Sequence, residues 1–189
     1  ADNINTLGKV VEDANDGDII QIKGLCMTND NQSNSAPWVI DKAITFQGVA
    51  GTNASINLRA GGIILGANVT FKDLTLTFPN AVRNAIMANG YTLTLSNVVR
   101  STSAKNTIHL FCGGATGLST TVPSGPHGNI IIENCTNMGN VYAGSISTDG
   151  KPNEFSIPAT VTMTDASKMG NFYACGALQT PVDNDHWFD

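Results

Sequence analysis

The sequence predicts an all-β fold, a solenoid of stacked parallel coils behind a short N-terminal capping helix. Three observations predict it. A strand-like segment recurs five times along the 189 residues, a second apolar motif recurs four times behind it, and one amphipathic helical pattern occurs at the N terminus. One domain is expected over residues 1–189, with the cap helix in 1–16, the coils in 17–180 and a tail in 181–189.

Ile4, Leu7, Val10, Val11 and Ala14 recur at helical spacing and predict a helix over 4–14. Asn15-Asp16-Gly17 ends it, Gly17 being suited to a left-handed helix cap. Asp13, Asn15, Asp16 and Asp18 suggest a calcium loop, but the EF-hand pattern of a Gly at the sixth position and a Glu at the twelfth is not met. The segment reads as a turn. From Asp18 to Lys23 the chain alternates, with Ile20 and Ile22 on one face and Gln21 on the other, the mark of a strand.

The repeats carry the rest. Residues 129–144 (NIIIENCTNMGNVYAG) realign on 160–175 (TVTMTDASKMGNFYAC) at an offset of 31, and TLTLSNV, VTFKDL and AITFQG match the first half upstream. The equivalent positions Phe46, Phe71, Leu95, Ile132 and Met163 are spaced 25, 24, 37 and 31, a period near 24 with loop insertions. Behind them recur Ile86-Met87-Ala88, Leu110-Phe111-Cys112, Val141-Tyr142-Ala143 and Phe172-Tyr173-Ala174. Alternate side chains of a strand face the same way, so stacking the coils puts Ile44, Val69, Leu93, Ile130 and Val161 in one inward column and Phe46, Phe71, Leu95, Ile132 and Met163 in the next. Asn97, Asn134 and Asp165 recur where each coil turns, a position suited to their tolerance of left-handed backbone. The helix is expected to cover one open end of the stack. A β-sandwich would need hairpin turns every 8–12 residues or so, and the repeated two-strand unit argues against it.

The leading helix, the first strand from Gly17 to Gly24 and the coils closing on NVYA or NFYA together resemble the right-handed parallel β-helix of the pectate-lyase-like kind. Such modules occur in large secreted or wall-attached bacterial proteins, and the resemblance covers almost the whole chain. It implies a fold more than a function: these modules serve as polysaccharide lyases, glycoside hydrolases, adhesins and non-catalytic appendages.

Composition narrows the partners. Charged residues make up 13% and hydrophobic ones 41%, with a mean hydropathy of -0.01, which permits a core and argues against disorder. A net charge of -5 argues against a nucleic-acid partner, and no apolar run approaches the roughly 20 residues of a membrane-spanning helix. Abundant Asn and Thr with few charges point to an extracellular or cell-surface location. Any secretion signal is expected to have been removed. A monomer, or part of a larger polypeptide, is expected. Cys26, Cys112, Cys135 and Cys175 show no zinc spacing, and no metal or cofactor is expected. The four allow three disulfide pairings, and the plain reading is that some or all are buried free thiols.

Candidate chemistry is sparse. Asp73, Glu133, Asp149 and Glu154 are the outward acids, and the column Gln47, Lys72, Ser96, Glu133, Thr164 holds only one, so no carboxylate pair forms across neighbouring coils. A lyase of this fold typically pairs calcium on clustered acids with a basic residue; Arg100 and Lys105 share a connection, without acids beside them. His109, His127, Ser119 and Ser124 lack a nucleophile-elbow context. Asp183, Asn184, Asp185, His186 and Trp187 read as a chain-end tail, and the sequons at Asn31, Asn53, Asn68 and Asn134 as chance matches. Ice binding would need a regular double Thr array; Thr45, Thr70, Thr94, Ile131 and Thr162 form one column, but its neighbour is mixed and charged.

One feature suggests a ligand surface. If Leu110, Val141 and Phe172 face inward, Met87, Phe111, Tyr142 and Tyr173 face outward, one above another. Phe111, Tyr142 and Tyr173, with Asn140 and Asn171 as polar neighbours, are the candidate binding residues, because sugar C–H faces stack on aromatic rings. The competing reading is that insertions at about 115–127 and 146–158 fold back and cover the stripe. The expected function is a non-catalytic surface or secreted module binding glycan or a host or cell-wall component. The alternative is a β-helical polysaccharide lyase or glycoside hydrolase dependent on Arg100.

Overall fold

The computed structural model describes residues 6–28, 37–58, 62–77, 85–100, 108–116, 122–147, 158–164 and 167–178. After helix α1 (Thr6–Asp13), the described residues make six similar passes. The first is β1 (Ile19–Ile22), β2 (Leu25–Met27) and β3 (Trp38–Ile40); the second is β4 (Ile44–Gly48), β5 (Ser55–Asn57) and β6 (Ile63–Leu65). The third is β7 (Val69–Lys72), β8 (Thr75–Thr77) and β9 (Ala85–Met87). The fourth adds a strand: β10 (Thr92–Ser96), β11 (Val99–Arg100), β12 (His109–Phe111) and β13 (Ala115–Thr116). The fifth is β14 (Gly128–Glu133), β15 (Val141–Tyr142) and β16 (Ile146–Ser147), and the sixth β17 (Ala159–Thr164), β18 (Phe172–Tyr173) and β19 (Ala177–Leu178).

Like strands pair with like, always in parallel. The first sheet runs β1-β4-β7-β10-β14-β17, the second β2-β5-β8-β11, the third β3-β6-β9-β12-β15-β18 and the fourth β13-β16-β19. The fold is thus all-β with parallel sheets and one short N-terminal helix, an arrangement compatible with a parallel β-helix. Both inward columns are in register: Phe46 pairs with Phe71, Phe71 with Leu95, Leu95 with Ile132 and Ile132 with Met163. Leu110 pairs with Ile86 and Val141, and Val141 with Phe172. Phe46 and Phe71 stack with ring centroids 5.0 Å apart, and one apolar core runs from Leu7 to Val141. The longer spacing of the later passes has a structural cause, since only they carry the extra strand of the fourth sheet.

Burial assigns the helix its role. Leu7, Val11 and Ala14 join the core at the first pass, while Val10, which the periodicity places on the same face, is exposed. Ile4 lies outside the described residues, as do 1–5 as a whole, and the described helix ends at Asp13. The acidic segment after it is a turn: the Asp18 carboxylate accepts from the Asn15 N–H at 2.8 Å and the Asp16 carboxylate from the Ala43 N–H at 2.8 Å. Gly17 has φ 92°, within that turn rather than at the helix cap. The predicted left-handed turn residues are found at Asn97 (φ 53°) and Asn134 (φ 49°), with Asp73 (φ 55°) as a further member; Asp165 lies outside the described residues.

Candidate functional site

The aromatic column forms, and it is covered. Phe111 and Tyr142 stack at 4.7 Å between ring centroids, and Tyr142 and Tyr173 at 4.8 Å, with planes within 10°. The spacing is that of neighbouring strands, so the register itself stacks the rings. Asn140 donates from Nδ2 to the Tyr142 hydroxyl, and Asn171 does the same to Tyr173, each at 3.2 Å. The Asn171 N–H donates to Asn140 Oδ1 at 2.9 Å, and the Asn140 N–H to His109 Nδ1 at 3.3 Å. His109, Asn140 and Asn171 therefore form a polar row beside the rings. The stripe is covered rather than solvent-facing, as the competing reading expects: Phe111 is 0% exposed and Tyr142 2%, within a second apolar cluster that includes Ile64, Met87 and Ile146, with Ala115 and Val122 packed against it. Tyr173, on the last pass, keeps partial exposure.

Insertion chemistry explains the cover. The fourth sheet supplies Ala115 and Ile146, and the chain after it returns across earlier passes. Asn89, in left-handed backbone (φ 52°), anchors that return: its Nδ2 donates to Leu65 O at 3.0 Å and Pro123 O at 3.1 Å, and its Oδ1 accepts from Ser124 Oγ at 3.1 Å. Gly90 and Gly125 meet backbone to backbone, where a Cβ on either would overlap the other. Burial holds the Tyr142 hydroxyl protonated, its pKa pushed up to about 12 despite the Asn140 hydrogen bond. It lowers His109 to about 4. Because a backbone N–H can only donate, Nδ1 of His109 carries the lone pair, and the neutral ring holds its proton on Nε2.

An open surface lies elsewhere, over the second sheet. A groove of about 420 Å³ is lined by Thr52, Asn53, Ser55, Asp73, Thr75, Thr77, Asn97 and Val99, with Ala54 and Leu74 also contributing. Its shape follows from one loop. Between β4 and β5 the chain spends residues 49–54, whereas the next two passes turn within 73–74 and 97–98. The longer loop closes in a turn, Thr52 Oγ1 donating to Val49 O at 2.7 Å, and forms one wall. The turn residues form another: Asn97 Nδ2 donates to Asp73 Oδ1 at 2.9 Å, and Asn134 Nδ2 reaches Asn97 Oδ1 at 3.4 Å. Gly48 permits that wall, since a Cβ there would overlap the Asp73 carbonyl oxygen. Among the described residues the groove is a hydroxyl- and amide-lined trough with one carboxylate, suited to a polyhydroxyl ligand.

The other sequence candidates are dispersed. Arg100 stands in register with the buried Leu76, and its N–H donates to Thr136 O at 3.2 Å; Lys105, Asp149, Glu154, Ser119, Asn31 and residues 183–187 lie outside the described residues. His127 Nε2 lies 2.8 Å from Thr160 Oγ1, and Ser124 is committed to Asn89. Asn68 accepts from the Thr92 N–H at 2.9 Å. All four cysteines are free thiols, Cys112 and Cys135 buried; burial raises both, Cys112 to about 12, which keeps them protonated and poorly nucleophilic. Among the described residues no three of His, Cys, Asp and Glu group as metal ligands, and no helix is long and apolar enough to cross a membrane.

The two strand registers that dominate the repeat do not reveal the groove, which lies on the register between them. The signal was present in the short alternations Ser55-Ile56-Asn57 and Thr75-Leu76-Thr77, each just after a turn, with the apolar residue inward and polar ones outward. No family model, curated protein or solved structure matches the chain.

Proposed function

We propose that the chain is a right-handed parallel β-helix of the pectate-lyase-like kind, belonging to a secreted or surface bacterial protein, and that it binds carbohydrate without turning it over. The repeated in-register parallel pairing of three sheets supports the architecture. The groove over the second sheet carries the binding reading: neutral hydroxyl and amide groups converge there on a rigid floor of paired strands. Asp73, the one acid among the described lining residues, is held by Asn97, which suits recognition better than proton transfer. The Arg100-dependent alternative gains no support from the groove, whose lining does not include Arg100.

A glycan array tests this directly. The chain is expected to retain a subset of glycans, and Thr75→Lys, which fills the groove from an outward position, to abolish retention without lowering the melting temperature. Retention unaffected by Thr75→Lys, or no glycan retained at all, would overturn the assignment.

A further inference from the structure

Resting on that reading, we infer that the groove takes a neutral, extended β-1,4-linked polysaccharide laid along the stacking direction of the strands. The outward row Leu25, Ser55, Thr75, Val99 is in register across four strands, and Met27, Asn57 and Thr77 form a second row beside it. Successive members of a row are separated by the strand spacing, about 4.8 Å. That is close to the advance of an extended β-1,4-linked chain per sugar, so each rung lies against one successive residue of the polymer, with hydroxyls on the two central rungs, Ser55 and Thr75. A ligand lying across the rows, along a strand, finds no such repeat.

The chemistry of the rows selects the ligand class. Ser55, Thr75 and Thr77 both donate and accept, as do the Asn53 and Asn97 amides, which matches sugar hydroxyls. The first row is apolar at its ends, with Val99 (39% exposed) in the groove and Leu25 (57% exposed) one strand beyond its lining, so aliphatic contacts for the C–H faces of sugars flank a polar centre. Among the described residues the lining holds no Lys, Arg or His, it includes Asp73, and the chain carries a net charge of -5. Uronate and sulfated polymers therefore meet the repulsion of Asp73 and of the net negative charge, with no cation among the described lining residues to offset it. The walls are fixed before binding by the Asn97–Asp73 and Thr52–Val49 hydrogen bonds, which lowers the ordering cost.

Calorimetric titration with cello- and chito-oligosaccharides of increasing length, and with oligogalacturonate as the anionic comparator, tests the inference. Affinity for one neutral series is expected to rise from disaccharide to tetrasaccharide, then level off, and to be insensitive to salt. Thr75→Val and Thr77→Val should each weaken tetrasaccharide binding by about tenfold, while Thr45→Val on the first sheet leaves it unchanged; thermal melts of all three establish that they fold. Tighter, salt-sensitive binding of oligogalacturonate, or an affinity that does not grow beyond a disaccharide, overturns the ligand class while leaving carbohydrate binding in place. If neither these oligosaccharides nor any arrayed glycan binds, both readings fall.

Discussion

Tyr142 shows how much one side chain carries. Its ring is sandwiched between Phe111 and Tyr173, its hydroxyl accepts from Asn140, and it is buried outside the main core. Tyr142→Ala should cost about 3–5 kcal/mol, the range for truncating a large buried aromatic, and more than Tyr173→Ala at the half-open end of the column. Urea denaturation of the two variants checks the order. His109 predicts a pH dependence. Folded, it titrates near 4 because it is buried; unfolded, near its ordinary 6.5. The unfolded chain thus binds the extra proton first, so stability is level above about 6.5 and falls as the pH drops towards 4. Between pH 7 and 5 the wild type should lose melting temperature and His109→Gln should lose less; equal losses in both would refute the assignment. The pairing of Asn140 and Asn171 with the tyrosines was legible in the repeat. The cover over Phe111 and Tyr142 was one of the two readings that the insertions allowed, and burial decides for it.

At the scale of elements, α1 is too short to be stable alone and owes its helicity to the core face it presents. Leu7→Ala should therefore destabilise the protein by about 2–5 kcal/mol, whereas Val10→Ala, one turn on but exposed, should stay within about 0.5 kcal/mol. Chemical denaturation separates them, and equal effects would mean the helix is not seated as described. Helical periodicity located this helix but could not tell Val10 from Val11, because two adjacent apolar residues straddle the boundary of a helix face. The strands were easier to read, since a period of two leaves each side chain only two choices. The fourth sheet was invisible: its strands are two residues long and carry no period, and only the lengthened repeat hinted that something was inserted.

The whole molecule is asymmetric along its strand order. The first pass is closed by α1, whereas the last described pass leaves open the positions buried in earlier ones: Met163 is 47% and Phe172 50% exposed, against 0% for Ile132 and Val141. In an architecture where each pass contacts only its neighbours, the final one has half the support. Hydrogen exchange should therefore be slowest in β7, β10 and β14 and markedly faster in β17 and β18. Uniform protection across all six strands of the first sheet would show that the last pass is held by something beyond its one neighbour.

By itself, the sequence determined the parallel stacking, the inward columns and the ring-on-ring register, because these follow from a local period repeated down the chain. Tertiary structure alone decided which outward faces meet water. Whether a face is exposed depends on where a distant insertion comes to rest, and no periodicity encodes that destination. The aromatic face was thus closed by the chain returning over it, and the open trough was left to a row of hydroxyls and amides on the sheet between.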